Sequence, residues 1–118
     1  DGVNILPYLT GEKKGEPNRI IFSKSGNYSY LIKNGWKLQI DFIQNKKWLF
    51  NLNEDPTEQI NLSKQNIEKL VELEKVLEFK LSEQSKPIWP SLLDWPIFID
   101  KTLKMKNDVS DEYVFWAN

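Results

Sequence analysis

Neither cysteine nor histidine occurs among the 118 residues. Without cysteine there are no disulfides, no thiolate nucleophile and no Cys-based zinc pattern, and cysteine usage says nothing about the redox compartment. Without histidine the chain lacks the commonest general base and the commonest metal ligand. Glycine is sparse and scattered, at Gly2, Gly11, Gly15, Gly26 and Gly35, so no glycine-rich phosphate cradle exists. No run approaches the roughly 20 apolar residues of a membrane-crossing helix, so no membrane span is expected. An excess of either charge is missing too. Sixteen Lys and Arg stand against 17 Asp and Glu, the net charge is −1 and the pI about 5.5. No positive field attracts a phosphate backbone, and nucleic acid is not an expected partner. Methionine occurs once, as Met105, and the chain opens at Asp1. It is therefore expected to be a fragment of something longer, the alternative being a mature protein whose N-terminus was processed away.

Aromatic residues are what the chain has in quantity: five Trp, six Phe and four Tyr, within 40% hydrophobic and 28% charged residues. The composition is that of an ordinary soluble domain. At 14.0 kDa it has the mass of one domain, which buries roughly two-thirds of its extended surface on folding. So many rings require a core, an interface or a ligand to cover them.

Residues 36–62, WKLQIDFIQNKKWLFNLNEDPTEQINL, organise the rest: two strand-like runs lead through a turn-rich stretch to the threshold of a helix. Before them, DGVNILPYLTG at 1–11 predicts a short helical turn with Ile5, Leu6 and Leu9 on one side. Asn4 can cap its start, Pro7 falls within the first turn and Gly11 suits the left-handed position after its end. The polar stretch 12–18 is loop. RIIFSK at 19–24 is a β-type run. Residues 28–33 then meet 36–41 across Asn34-Gly35, the strongest short hairpin signal there is, because a type I′ turn needs positive φ at both central residues. A two-residue loop fixes the register. Lys33 faces Trp36, Leu31 faces Leu38 and Ser29 faces Ile40, which leaves Tyr28, Tyr30 and Ile32 with Lys37, Gln39 and Asp41 on the other side. One face is apolar and the other mixed.

The aromatic and branched run 47–52 is a further strand, but the loop near 44–47 leaves its register open. In the turn segment 53–61, Pro56 fixes φ and Asp55 is placed to bond amides further on. Ser63 or Asn66 can cap the helix that follows. From 67 to about 83, Ile67, Leu70, Val71, Leu73, Val76, Leu77 and Leu81 recur at helical spacing, with Lys69, Glu72 and Lys75 outside. A lone helix of this length is marginal in water, so its stripe is expected on the apolar face of the sheet. KPIWPSLLDWP at 86–96 cannot continue the helix and is expected to run over the surface, pinned by its rings. Residues 101–111 are charged and expected to be mobile, and EYVFW at 112–116 is a final strand or a docking tail.

The chemistry open to such a chain is narrow. Glu54 with Asp55, or Asp111 with Glu112, form carboxylate pairs of the kind that serve as acid and base or hold a hard cation. Each lies in a turn or charged loop, where a solvated carboxylate is the plainer reading. Lys33 and Lys37 read as surface strand residues, since nothing adjacent in sequence lowers their pKa. The tryptophans would suit a sugar-stacking platform, but core or interface is the better expectation. No catalytic, cofactor-binding or metal-binding residue is assigned.

Three stretches together resemble the C-terminal subdomain of type I sulfatases, in the alkaline phosphatase superfamily. DGVNILPYLTGE at 1–12 is similar to the family's DGxxLLPxLxG. KNGWKLQI at 33–40 resembles its Gly-x-Trp-Lys-Leu hairpin. LFNLNEDPTEQINL at 49–62 is similar to its LYDLxxDPxExxNL, with Leu49, Leu52, Asp55, Pro56, Glu58, Asn61 and Leu62 in step. Asn51 and Phe50 depart from the usual Asp and Tyr, and the hairpin turn is one residue shorter than the common form. The likeness covers about residues 1–90, and the part after Trp95 has no match.

The resemblance implies a parent enzyme that hydrolyses sulfate esters, often of sulfated sugars, with a formylglycine nucleophile made from a C-x-P-x-R type motif and a bound calcium ion. None of those motif positions falls in this chain. The fold class expected is α+β: a four-stranded antiparallel sheet with one long helix packed on a face, plus an irregular aromatic-rich tail. The whole, 1–118, is a single domain divided as 1–18 helical turn and loop, 19–62 sheet and turn, 63–84 helix and 85–118 tail. Its expected partner is the catalytic domain of its own parent chain, met through Tyr28, Tyr30 and Ile32 or the region of Trp116. The same aromatic surface would otherwise support a homo-oligomer, and the parent is expected to be periplasmic or extracellular. Two alternatives stand beside this reading: a free-standing aromatic-rich binding module for glycans or proteins, and the same domain from a related phosphatase or phosphonate hydrolase.

Overall fold

Asn34 and Gly35 take φ of 51° and 75°, the two positive values of a type I′ turn. The turn joins strands β2 (Tyr28–Lys33) and β3 (Trp36–Asp41). Their register is Lys33 opposite Trp36, Leu31 opposite Leu38 and Ser29 opposite Ile40, as the two-residue loop requires. In the computed structural model, residues 3–15, 17, 20–86, 88, 89, 92–99, 101, 102 and 104–117 are described. Strand β1 (Ile21–Ser25) lies antiparallel to β2, and β4 (Lys46–Asn51) antiparallel to β3, giving a four-stranded sheet in the order β1-β2-β3-β4. The predicted start of the first strand at Arg19 lies outside the described residues.

The register of β4 is settled by the turn at residues 42–45. Asp41 accepts the amides of Ile43 and Gln44 at 2.9 and 3.1 Å, and Asn45 adopts a φ of 52°. Gln39 therefore stands opposite Trp48 and Leu38 opposite Leu49. Trp48 and Phe50 fall on the second face of the sheet, and Leu49 on the first.

On the first face lies α2 (Ile67–Ser82). Its Leu73 and Leu77 join Leu31, Leu38, Ile40 and Leu49 in one buried cluster, with Phe22, Trp36, Leu62 and Leu70 packed around it. The apolar stripe that faces the sheet is narrower than the sequence spacing suggests, because Ile67 and Val71 are exposed. Asn66 occupies the N-cap position but its side chain makes no capping bond. The helix is tied to the sheet at its flank by ion pairs Lys33–Glu72, at 3.0 Å, and Lys47–Glu74. The short helix α1 (Leu6–Leu9) begins where Asn4 Oδ1 accepts the Leu6 amide at 3.0 Å and ends before Gly11, whose φ is 79°.

The second face departs from expectation in a way that matters. Residues 94–117 form a second, two-stranded sheet, β5 (Asp94–Phe98) with β6 (Tyr113–Ala117), so the tail is only partly irregular. Val114 of β6 enters a buried cluster with Tyr28, Trp48 and Phe50, and the Trp116 ring lies 5.3 Å from that of Tyr28. Of the residues expected to meet another molecule, Tyr28 is thus buried beneath the chain's own hairpin, Tyr30 and Ile32 are half-buried and Trp116 is exposed. The preceding stretch is not pinned by its rings: Ile88, Trp89 and Leu92 are 86–92% exposed. In the charged stretch that follows β5, Lys101 pairs with Asp111 at 2.6 Å and donates from Nζ to the Lys106 carbonyl at 2.6 Å.

Two substitutions test this packing. Leu77→Ala removes a side chain that is 1% exposed and is expected to cost about 2–5 kcal/mol in urea unfolding. Ser29 is fully buried and its Oγ has no hydrogen-bond partner among the described residues. Ser29→Ala should therefore raise stability by about 1 kcal/mol, since an unsatisfied buried hydroxyl costs that much or more.

Candidate functional site

The densest polar constellation lies where the turn after β4 folds back over the sheet. Asp55 builds the turn from within. Its Oδ2 accepts the Ile60 amide at 2.8 Å and its Oδ1 the Thr57 hydroxyl at 3.3 Å. These bonds, that of Ile60 foremost, hold the Asp55 carboxyl below its ordinary value. Asn61 then closes the open edge of β4. Its Oδ1 accepts the Leu49 amide at 3.0 Å and its Nδ2 donates to the Lys47 carbonyl at 3.1 Å, while the Leu62 amide donates to the Leu49 carbonyl at 2.8 Å. Unpaired groups of an edge strand are thereby satisfied by a side chain and one further residue of backbone.

Between these two sits Glu58, a non-glycine residue at φ 60°, a left-handed conformation that costs about 1 kcal/mol or more outside glycine. What holds it there is its carboxylate. Lys37 Nζ donates to both Glu58 oxygens at 2.7 Å and Gln39 Nε2 to Oε2 at 2.8 Å. Lys37 and Gln39 share a face because they are two apart on one strand. The Lys37 ammonium also lies 5.4 Å from the centre of the Tyr30 ring. A small cleft of about 340 Å³, bordered by Thr57, Glu58, Ile99, Lys101 and Thr102, opens beside the pair. Lys37 is thus a half-buried clamp and not the plain surface lysine expected of it. Lys33 is likewise engaged, with Glu72.

Sequence reasoning named Lys37 but missed its partner, although Glu58 belongs to the turn motif and Lys37 and Gln39 lie on the face that the motif folds over. Of the candidate carboxylates, Glu54 makes only a backbone bond to the Asn51 carbonyl, and Asp55 serves its own turn. Asp111 pairs with Lys101 and caps the Asp108 amide, and Glu112 accepts the Trp48 indole N–H at 2.8 Å. They are not brought together. Among the described residues no cluster of three or more His, Cys, Asp or Glu could hold a metal ion.

Among the described residues, this network holds no activated nucleophile. Tyr28, the buried phenol nearest this network, has its pKa raised by burial first and then by the nearby acidic groups, Glu58 foremost. It stays a neutral phenol in the physiological range. What the arrangement does is mechanical: it clamps an irregular turn onto two strands.

A larger and more apolar groove, of about 1060 Å³, is bordered by Trp95, Ile97, Phe98, Lys104 and Met105. Trp95 is exposed there, whereas Trp48 is core and Trp36 packs beside α2. No protein-family model matches the chain, and no curated protein does.

The clamp can be measured. Side-chain exposures of 17% for Lys37 and 29% for Glu58 place the pair between surface and buried cases, so Glu58→Gln and Lys37→Met should each cost about 1–3 kcal/mol. In a double-mutant cycle a coupling of about 1 kcal/mol or more is expected. A coupling near zero in chemical denaturation means that Glu58 is held by its turn alone.

Proposed function

We propose that this chain is the C-terminal structural domain of a type I sulfatase, bracing a catalytic domain that belongs to the same parent chain and taking no part in the chemistry itself. The observation that carries the reading is what the family-like residues do. Asp55, Glu58, Asn61 and Leu62, which fall in step with the family's turn, are the residues that build the turn, clamp it to β3 and close the edge of β4. A turn pattern whose residues all fasten the fold supports a scaffold. By the same reading no step of sulfate-ester hydrolysis belongs to this chain.

The surface supports the second half of the proposal. The chain exposes 9184 Å², roughly a third more than the about 6,700 Å² expected of a self-contained monomer of its mass. Its radius of gyration is 16.4 Å against about 13.5 Å for a compact chain of this length. Much of the exposed apolar area lies on Ile5, Leu6 and Leu9 of α1 and on Ile88, Trp89, Leu92 and Leu93. The bracing contact is assigned to these two patches, since the second face of the sheet is occupied.

The groove beside Trp95 favours one other reading, an aromatic-rich module that binds glycans by ring stacking. Titration with neutral and sulfated oligosaccharides, followed by tryptophan fluorescence, separates the two. A flat response is expected of the scaffold, and saturable binding supports the module.

The scaffold proposal makes its own prediction. Incubated with an aryl sulfate and calcium, the chain should give no turnover above a blank, and the gene upstream of the Asp1 codon should encode the C-x-P-x-R type nucleophile motif. Measurable turnover, or an upstream reading frame without that motif, overturns it.

A further inference from the structure

The β5–β6 hairpin meets the main sheet through Val114, the Trp116 ring and a set of placed hydrogen bonds. Trp48 Nε1 donates to Glu112 Oε2 at 2.8 Å, Gln44 Nε2 to the Tyr113 carbonyl at 2.8 Å, and the Phe115 amide to Asp41 Oδ2 at 2.7 Å. At the far end Asn27 Nδ2 reaches Asp94 Oδ2 at 3.4 Å. Among the described residues after α2, Val114 is the only buried one. A two-stranded ribbon with one buried side chain has no core of its own and is marginal by itself. The helix on the opposite face is anchored by the six-residue buried cluster that includes Leu73 and Leu77. The two coverings of the sheet are therefore unequal.

Asp41 is where the weaker covering is fastened. Its side chain is fully buried, and each oxygen accepts twice: Oδ1 from the Ile43 and Gln44 amides, Oδ2 from Gln44 Nε2 and the Phe115 amide. With its acceptor positions filled by donors, the carboxylate has no place for a proton unless a donor leaves. The donor easiest to lose is the one contributed by the ribbon. The charged and titratable groups facing Asp41 are Tyr28 across β2, Lys46 across β4, and Glu112 and Tyr113 on the ribbon side. Lys46 lies over the Tyr113 ring at 5.9 Å.

We propose that the β5–β6 hairpin is a strap, latched to the sheet by the Asp41 carboxylate, which opens as a unit ahead of the rest of the fold and uncovers the Tyr28, Trp48 and Phe50 face. The direction of its pH response follows. Burial works to raise the Asp41 pKa, but the bonds from Phe115, Gln44 and Ile43 outweigh it and leave the value below the ordinary 3.8. A depressed carboxylate contributes stability that is present above its ordinary value and lost as pH falls toward the depressed one. Acid therefore opens the strap.

Hydrogen exchange measured by mass spectrometry on the full chain tests this. At neutral pH, Asp41→Asn should raise exchange in peptides covering 94–98 and 113–117 by about ten-fold or more, with 67–82 unchanged. The wild type should show the same selective loss, corrected for intrinsic rates, only below pH 3.8, and Asp41→Asn should flatten that dependence. Gln44→Ala, in the turn and outside the core, should give a smaller rise in the same peptides, and it decides the matter if the Asp41 variant does not fold. Wild-type protection of 113–117 in the variants, or equal loss across strap and α2, overturns the proposal.

Discussion

The two-residue turn at Asn34-Gly35 constrains everything built on the sheet. Because side chains alternate along a strand, the pairing of Leu31 with Leu38 and of Tyr30 with Gln39 sorts the sheet into an aliphatic face and an aromatic, polar one. A slip of one residue would exchange them, setting Leu38 against the strap and Lys37 against α2. Positive φ at both turn residues is what prevents the slip. The β3–β4 turn repeats the device by another route, with Asp41 accepting two amides and Asn45 in the left-handed region.

Each face is then covered by means suited to its chemistry. The aliphatic face takes α2 through Leu73 and Leu77, an association that needs no directional bond and loses little with pH. The mixed face cannot be covered that way, since Lys37, Gln39 and Asp41 would be left without partners. It is covered by segments that bring donors and acceptors of their own: Glu58 for Lys37 and Gln39, and the amide of Phe115 for Asp41. The sheet is thus braced on one side by apolar packing and on the other by a set of placed hydrogen bonds. This division explains both the strained backbone at Glu58 and the dependence of the C-terminal hairpin on one carboxylate.

The same division bears on the scaffold reading. Of the polar groups weighed as candidate chemistry, Lys33, Lys37 and Glu112 fasten one segment to another, while Asp55 and Asp111 bond within their own turn or loop. Meanwhile α1 and the stretch around Trp89 hold apolar side chains in solvent. That apolar surface is what the proposed bracing contact would cover.

The sequence by itself determined the hairpin and its register, the long helix, the α+β class and the internal bonding of Asp55, because each rests on residues a few positions apart. Local steric and hydrogen-bond preferences suffice for those. Only the tertiary structure decided that β6 returns over Tyr28 and Trp48, that Glu58 reaches Lys37 and that Trp89 is left in water. Those outcomes join residues 21 to 74 positions apart or depend on what remains uncovered once they have formed. Such contacts are chosen by competition among all surfaces of the folded chain, and no short stretch of sequence carries that information.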